Sequence, residues 1–178
     1  YSRVRFGTKV SRRDALHLAL MSSENRMASA LARHYPGGRS AFIRAMNNKA
    51  RQLGMRNSRF YDSTGLSTRN VSTARDLAKL ITAAYRQPLI RQFTQDTNKE
   101  MRFSTPAYSL MFNNTNPLVK NPDWDVRLSK TGYTDEAGRC LLMRAKPDRQ
   151  ELAIVLLNSV GKRTPIGDAN RIRKWLKS

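Results

Sequence analysis

The stretch VRLSKTGYTDEAGRCLLMRAKPDRQELAIVLL, residues 126–157, contains the features that decide the fold. Polar, turn-forming residues at 135–138 and 147–150 divide it into short segments. Turns of this length join neighbouring antiparallel strands. The stretch therefore predicts a three-stranded antiparallel meander, whose strands are residues 126–131, 139–144 and 152–157.

The sequence before the meander has the spacing of helices. Ser11 has the side chain of an N-cap and precedes an apolar segment that ends near Met21. Polar residues 22–25 separate this segment from an Ala-rich helix at 26–34. A third helix is predicted with Ser40 as its N-cap and Gly54 just after its end, and a fourth runs from Thr73 to a stop at Pro88.

The remaining segments complete an α+β pattern. Residues 1–10 are predicted as an extended arm, and 101–103 and 108–112 as two short strands. A last helix is predicted over 168–177, with Ile172, Trp175 and Leu176 on one face. Helices first and strands later is typical of α+β domains rather than of alternating βαβ units. The length, 178 residues without a repeat or linker, predicts a single domain.

Composition narrows the possible functions. The chain has 33 Lys and Arg against 13 Asp and Glu, a net charge of +20. This charge favours an anionic partner, whether nucleic acid, an anionic lipid surface or an acidic polymer. Cys140 is the single cysteine, and the two histidines, His17 and His34, lack the spacing of zinc ligands. No cofactor, metal site or transmembrane segment is therefore expected, and Cys140 is predicted as a small buried apolar residue.

Two short motifs have the chemistry of acyl transfer. Ser23-Glu24-Asn25 lies at the break between two helices, and Lys130-Thr131-Gly132 ends a strand. A hydroxyl, an amide and an ammonium in one cleft are what serine acyl transfer requires beside its nucleophile. Each motif alone is weak evidence, because a helix cap and a turn explain them equally well.

Taken together, these motifs resemble the low-molecular-mass penicillin-binding proteins, the D-alanyl-D-alanine peptidases of the peptidase S11 type. The resemblance to their serine β-lactamase fold, a helical cluster packed on an antiparallel sheet, is carried by residues 23–25, 60–66, 72–77, 130–135 and 137–138. Residues 20–26, 35–38 and 70–73 are most similar to the subgroup of penicillin-binding protein seven, a murein DD-endopeptidase.

The resemblance implies roles for six residues. Ser23, Asn25 and Lys130 would be catalytic: Ser23 would relay a proton, Asn25 would hold a substrate amide, and Lys130 would attract a substrate carboxylate. The substrate-binding residues would be Thr131, Gly132 and Tyr133, with the backbone amide of Tyr133 as an oxyanion donor.

The family's nucleophile, the serine of a Ser-x-x-Lys motif, does not map onto the chain. Ser159-Val160-Gly161-Lys162 has this spacing, but it follows the Lys-Thr-Gly motif and is interpreted as chance. Residues 1–178 are therefore expected to be the C-terminal portion of one catalytic domain. The N-terminal strands and the nucleophile helix would precede Tyr1, and the chain alone would be inactive.

The function implied is serine-type D-Ala-D-Ala endopeptidase or carboxypeptidase activity through an acyl-enzyme. Its partners would be peptidoglycan peptide cross-links, with β-lactam antibiotics as inhibitors, in the periplasm after export by a signal peptide outside this chain. The alternative is a non-catalytic basic protein that binds an anionic polymer or nucleic acid. Lys and Arg are spread evenly along the sequence without interleaved aromatic residues, so no specific nucleic acid is expected.

Overall fold

The computed structural model describes residues 2–178, so Tyr1, the first residue of the predicted arm, lies outside the described residues. Within this range, six α-helices and five strands are joined by loops and three short 3₁₀ turns. The helices are α1 (Arg12–Met21), α2 (Asn25–Arg33), α3 (Gly38–Gln52), α4 (Ala74–Tyr85), α5 (Pro88–Gln95) and α6 (Thr164–Trp175). The strands are β1 (Asn98–Ser104), β2 (Ala107–Asn113), β3 (Val126–Thr134), β4 (Gly138–Ala145) and β5 (Leu152–Ser159).

The predicted meander is confirmed as a three-stranded antiparallel sheet in the order β3-β4-β5. Side chains alternate across it, so Leu141 and Met143 pack with Ile154 against Ala169 of α6. Arg144 points to the other face, where its guanidinium lies 4.1 Å from the ring of Tyr85 on α4. Helices therefore cover both faces of the sheet.

A second core lies between the first two helices and a separate hairpin formed by β1 and β2. Leu18 and Met21 of α1 are fully buried there with Met27 of α2. Phe103 and Phe112 close this core from the hairpin side. The two strands predicted around residue 106 are thus present, but they form a sheet of their own.

Two predicted helix starts are confirmed by their hydrogen bonds. The Ser11 hydroxyl accepts from the amide of Asp14 at 3.0 Å, and the Thr73 hydroxyl accepts from the amide of Asp76 at 3.2 Å. Gly54 has the predicted left-handed conformation after α3, with φ +69°. These local signals place α1, α3 and α4 along the chain.

Two other predicted helix starts are wrong. Helix α3 begins at Gly38, not after Ser40, because Gly37 and Gly38 adopt φ +81° and +75° and already turn the chain. Helix α6 starts at Thr164 rather than 168, with Pro165 in its first turn. Trp175, predicted to share one face of this helix with Ile172 and Leu176, is 72% exposed.

The predicted extended arm also differs, because residues 2–10 contain no strand. The amide of Thr8 donates to the carbonyl of Arg5, and Gly7 has φ +74°, so the segment turns. The amide of Lys9 then donates to the carbonyl of Thr105 at 3.1 Å, and Val4 is buried in the second core. The arm is therefore attached to the β1–β2 hairpin.

Met143→Ala should lower the free energy of unfolding by about 3 kcal/mol, because it leaves a cavity in the centre of the sheet core. Met143 is fully buried, whereas Met111, the control, is 49% exposed on β2. Met111→Ala should change stability by less than about 1 kcal/mol. Denaturant titration measures both, and equal losses would contradict this description of the core.

Candidate active site

The break between α1 and α2 positions Ser23. The carbonyl of Leu18 accepts from the amides of Ser22 and Glu24, at 3.1 and 3.2 Å, and so ends α1. The buried Glu24 carboxylate then caps α2 through the amide of Arg26 at 3.3 Å. Ser23 between these two caps has φ +56°, which a non-glycine residue rarely adopts. The two helix ends therefore hold the Ser23 hydroxyl in a fixed direction.

Lys130 lies in the middle of β3 and reaches this hydroxyl. Its Nζ donates to Ser23 Oγ and, at 2.7 Å, to the carbonyl of Thr131. No carboxylate pairs with Lys130 among the ion pairs of the described residues. Burial without a counter-charge lowers the pKa of Lys130 to about 8. This ammonium can therefore lose its proton more easily than a surface lysine.

The connector after β2 ties β3 to α1, a role that the sequence analysis missed. The hydroxyl of Thr131 donates to that of Thr115 at 2.7 Å, and the amide of Thr115 donates to the carbonyl of Met21 at 3.2 Å. Buried Asn116 donates to Ser129 Oγ at 2.8 Å. The polar residues of this connector were the available signal, since side-chain amides at such turns form backbone and side-chain hydrogen bonds.

All six residues predicted for the site line one cleft of about 690 Å³: Ser23, Asn25, Lys130, Thr131, Gly132 and Tyr133. Thr64, Gly65 and Leu66 line it too, and so do Arg139, Cys140, Lys162 and Arg163. Among residues 2–178, no Asp or Glu lines this cleft, and its polar side chains are cations, hydroxyls and the amide of Asn25. Cys140 is partly exposed in the cleft wall, contrary to its prediction as a buried residue.

A buried carboxylate shapes the loop that carries Thr64–Leu66. Asp62 accepts from the hydroxyl of Thr64 at 2.5 Å, from the amide of Ser67 at 2.8 Å and from the Asn70 side chain at 3.1 Å. Burial raises the pKa of Asp62, but these hydrogen bonds outweigh it and hold the pKa below its ordinary value. An ionised Asp62 therefore organises the loop from inside.

A bulge in the sheet accompanies Arg139 in the cleft wall. The β4–β5 register shifts between Arg139 and Leu141, and Asn158 opposite adopts φ +55°. A Cβ on Gly138 would lie 2.9 Å from the backbone of Asn158, so the bulge needs glycine there. The Arg139 guanidinium lies 4.1 Å from the ring of Tyr133, whose hydroxyl donates to Asp135 at 2.6 Å.

Strand β3 is an edge strand, paired only with β4 among the described residues. Gly132, which is exposed on this edge, has no side chain that could block a peptide laid alongside.

The described residues contain no group of three His, Cys, Asp or Glu side chains that could hold a metal ion. His17 instead stacks on Phe93 at 4.2 Å and lies 2.9 Å from Asp96.

The fold and the two motifs match one enzyme family. Residues 1–161 match the D-alanyl-D-alanine carboxypeptidases of the peptidase S11 family, and the chain belongs to this family. Over all 178 residues it is 51% identical to a D-alanyl-D-alanine endopeptidase of Pseudomonas aeruginosa and 52% identical to one of Escherichia coli. The chain spans 57% of the length of each of these relatives.

Solved structures confirm the predicted fold class. The Streptomyces K15 DD-transpeptidase superposes with a TM-score of 0.89 at 26% identity, over 97% of this chain and 70% of its own. Penicillin-binding protein D2 of Listeria monocytogenes, solved with cefotaxime bound, gives 0.79 at 25% identity, over 93% and 66% of the two chains. The α+β arrangement is that of the penicillin-binding and β-lactamase-like proteins.

The lowered pKa of Lys130 predicts a pH-dependent stability. Unfolding returns its pKa from about 8 to 10.5, so the unfolded chain binds more protons between these values. Stability from this residue is therefore complete above pH 10.5 and is lost as the pH falls through 8. Between pH 7 and 10.5, the free energy of unfolding of the wild type should rise by up to roughly 3 kcal/mol more than that of Lys130→Met. Denaturant titrations at several pH values measure this difference. The prediction is contradicted if the free energies of unfolding of the two proteins change with pH in the same way.

Asp62→Asn should lower the free energy of unfolding by about 2 kcal/mol, because an NH₂ group would face hydrogen-bond donors. Amide exchange at Thr64 and Ser67 should become faster, since Asp62 accepts from both amides. Asp123→Asn is the control, because that side chain is exposed and outside the cleft. Unchanged exchange in the loop would show that Asp62 does not organise it.

Proposed function

We propose that this chain carries two of the three catalytic motifs of a serine-type D-Ala-D-Ala peptidase. The observation that supports this most directly is the hydrogen bond from Lys130 Nζ to Ser23 Oγ, between residues 107 positions apart in the sequence. It joins the Ser-x-Asn and Lys-Thr-Gly motifs at one end of a cleft that also contains Asn25. These are the groups that acyl transfer needs around a nucleophile.

Each side chain has a role that fits its position. The Ser23 hydroxyl and the Lys130 ammonium form a path along which a proton can pass to a leaving amine. Asn25 offers its amide to a substrate carbonyl. A peptide that pairs with the open edge of β3 would place its scissile carbonyl near the backbone amide of Tyr133, which would stabilise the oxyanion. Thr131 and Gly132 would contact the same peptide.

The nucleophile itself is assigned to a part of the protein other than these 178 residues. The single Ser-x-x-Lys pattern begins at Ser159, which is buried at the end of β5 opposite Arg139. Lys162 lies in the turn before α6 rather than one helical turn after Ser159. This arrangement does not suit a serine activated by a neighbouring lysine. We therefore expect the chain without its nucleophile segment to be inactive.

The substrate that fits best is the peptide cross-link of peptidoglycan, with β-lactams as inhibitors. Relatives of about 50% identity are named endopeptidases, which supports cross-link cleavage over carboxypeptidase activity. Such a substrate supports a location outside the cytoplasm, and we propose the periplasm. Within residues 2–178, no helix combines the length and the apolar character required to cross a bilayer.

Intact-mass measurement after incubation with benzylpenicillin tests the proposal on the full-length protein. We expect a single covalent adduct on a serine outside these 178 residues. Lys130→Ala should slow its formation by about a hundredfold or more, because the proton path through Ser23 is lost. Lys120→Ala removes an exposed lysine outside the cleft and should leave the rate unchanged. No adduct, or equal rates in both variants, would contradict the proposed function.

A further inference from the structure

The helical part of the molecule has an uneven charge that the net value conceals. Residues 25–95 contain thirteen Lys and Arg but only two carboxylates, Asp62 and Asp76. Both carboxylates are buried, 6% and 1% exposed, and are occupied by hydrogen bonds inside the fold. Lys79 with Asp76 is the one ion pair of this part among the described residues. Its surface therefore presents cations without exposed carboxylates.

Residues 96–178 are different, because they contain nine carboxylates. Several of their arginines are neutralised by nearby acids: Arg127 by Asp125 at 2.6 Å, Arg144 by Glu151 at 3.3 Å and Arg173 by Asp148 at 2.8 Å. The asymmetry therefore arises from where the acids are, since cations occur throughout the sequence.

Six exposed arginines of the helical part form what we call the basic face: Arg44, Arg51, Arg56, Arg59, Arg69 and Arg75. Arg44 and Arg51 are seven residues apart on α3, so they share one side of the helix. The segment from α3 to α4 is fixed to α3, because the Asn47 side chain bonds both the amide and the carbonyl of Phe60. The face is therefore built on a rigid support.

Further contacts bring the other four arginines together. Asp76 accepts from the amide of Asn57 at 2.8 Å and from Ser58 at 2.9 Å, so the chain at Arg56 lies next to the first turn of α4, which contains Arg75. Arg59 pairs with Val71 in an isolated antiparallel bridge. Arg59 and Arg69 both contact the Tyr61 ring, at 5.3 and 3.8 Å from its centroid.

This arrangement of arginines lowers the stability of the protein when no anion is bound. Like charges within a Debye length, about 8 Å at physiological salt, repel one another. Arg75 also lies in the first turn of α4, where the helix dipole disfavours a cation. A bound polyanion would relieve both effects.

The basic face continues directly from the cleft. One loop, residues 59–71, supplies Thr64–Leu66 to the cleft wall and Arg59 and Arg69 to the face. Only two residues separate Leu66 from Arg69, so their Cα atoms are at most about 10 Å apart. A polymer that extends out of the cleft past Leu66 would therefore meet the basic face.

We propose that the basic face is a docking surface for the polymeric form of the substrate, an anionic peptidoglycan network whose stem peptides carry carboxylates. This inference rests on the proposed function and adds that the protein distinguishes the intact network from a small peptide. Arginine forks suit carboxylates. Single-stranded nucleic acids stack their bases on aromatic side chains, whereas the ring of Tyr61 is already in contact with Arg59 and Arg69.

Sedimentation with purified peptidoglycan sacculi over a series of salt concentrations tests the docking surface in the full-length protein. The triple variant Arg44→Gln, Arg51→Gln, Arg56→Gln should bind sacculi at least tenfold more weakly and with a smaller salt dependence. The control, Lys120→Gln, Arg149→Gln, Lys174→Gln, removes as many exposed cations from the other part of the chain. The affinity of this control variant for sacculi should be within twofold of that of the wild type. Neither triple should change the rate of benzylpenicillin acylation.

An equal loss of affinity for sacculi in the two triple variants would overturn the proposal of a docking surface, because net charge alone would then explain binding. Sacculus binding that survives in the first triple, while binding to DNA or to anionic phospholipid vesicles is lost, would overturn it in favour of that other partner. If the wild-type protein forms no penicillin adduct but still binds sacculi through the basic face, the proposed function fails and the docking surface stands.

Discussion

The hydrogen bond between Lys130 and Ser23 joins the two parts of the molecule, and much of the structure serves to hold it. Burial of an ammonium without a carboxylate is unfavourable unless its donors find acceptors. A hydroxyl and a backbone carbonyl supply them here. Ser23 is held in position by the break between α1 and α2. Lys130 is held by strand β3, which Thr115 and Asn116 fix through hydrogen bonds.

The elements with strong local signals could be predicted from the sequence. The N-caps at Ser11 and Thr73 depend only on residues within one helical turn, and the meander strands only on alternating apolar runs and their turns. The start of α3 could not be predicted, because Ser40 has the side chain of a cap but Gly37 turns the chain first. Burial of a terminal residue such as Trp175 depends on whether another element covers it, which helical spacing does not encode.

The six motif residues of the candidate site were predicted because the two motifs, taken together, resemble those of a known family, although each motif alone is weak evidence. The rest of the cleft was not, since its residues come from a loop, a bulge and the start of α6. Arg139 lines the cleft next to a register shift opposite Asn158, and the position of Thr64 depends on buried Asp62. The evenly spread lysines and arginines likewise gave no sign of charge segregation, which lies in the distribution of the acids and is completed by the burial of Asp62 and Asp76.

The unpaired edge of β3 has a consequence for the behaviour of the protein at high concentration. A strand with free amides and carbonyls can pair with the same strand of a second molecule as readily as with a peptide. Arg139 and Lys162, which form no ion pair among the described residues, line the cleft beside this strand. When two copies approach edge to edge, these cations meet the same cations and repel. The charges that surround the cleft therefore also keep it vacant for a peptide by opposing self-association.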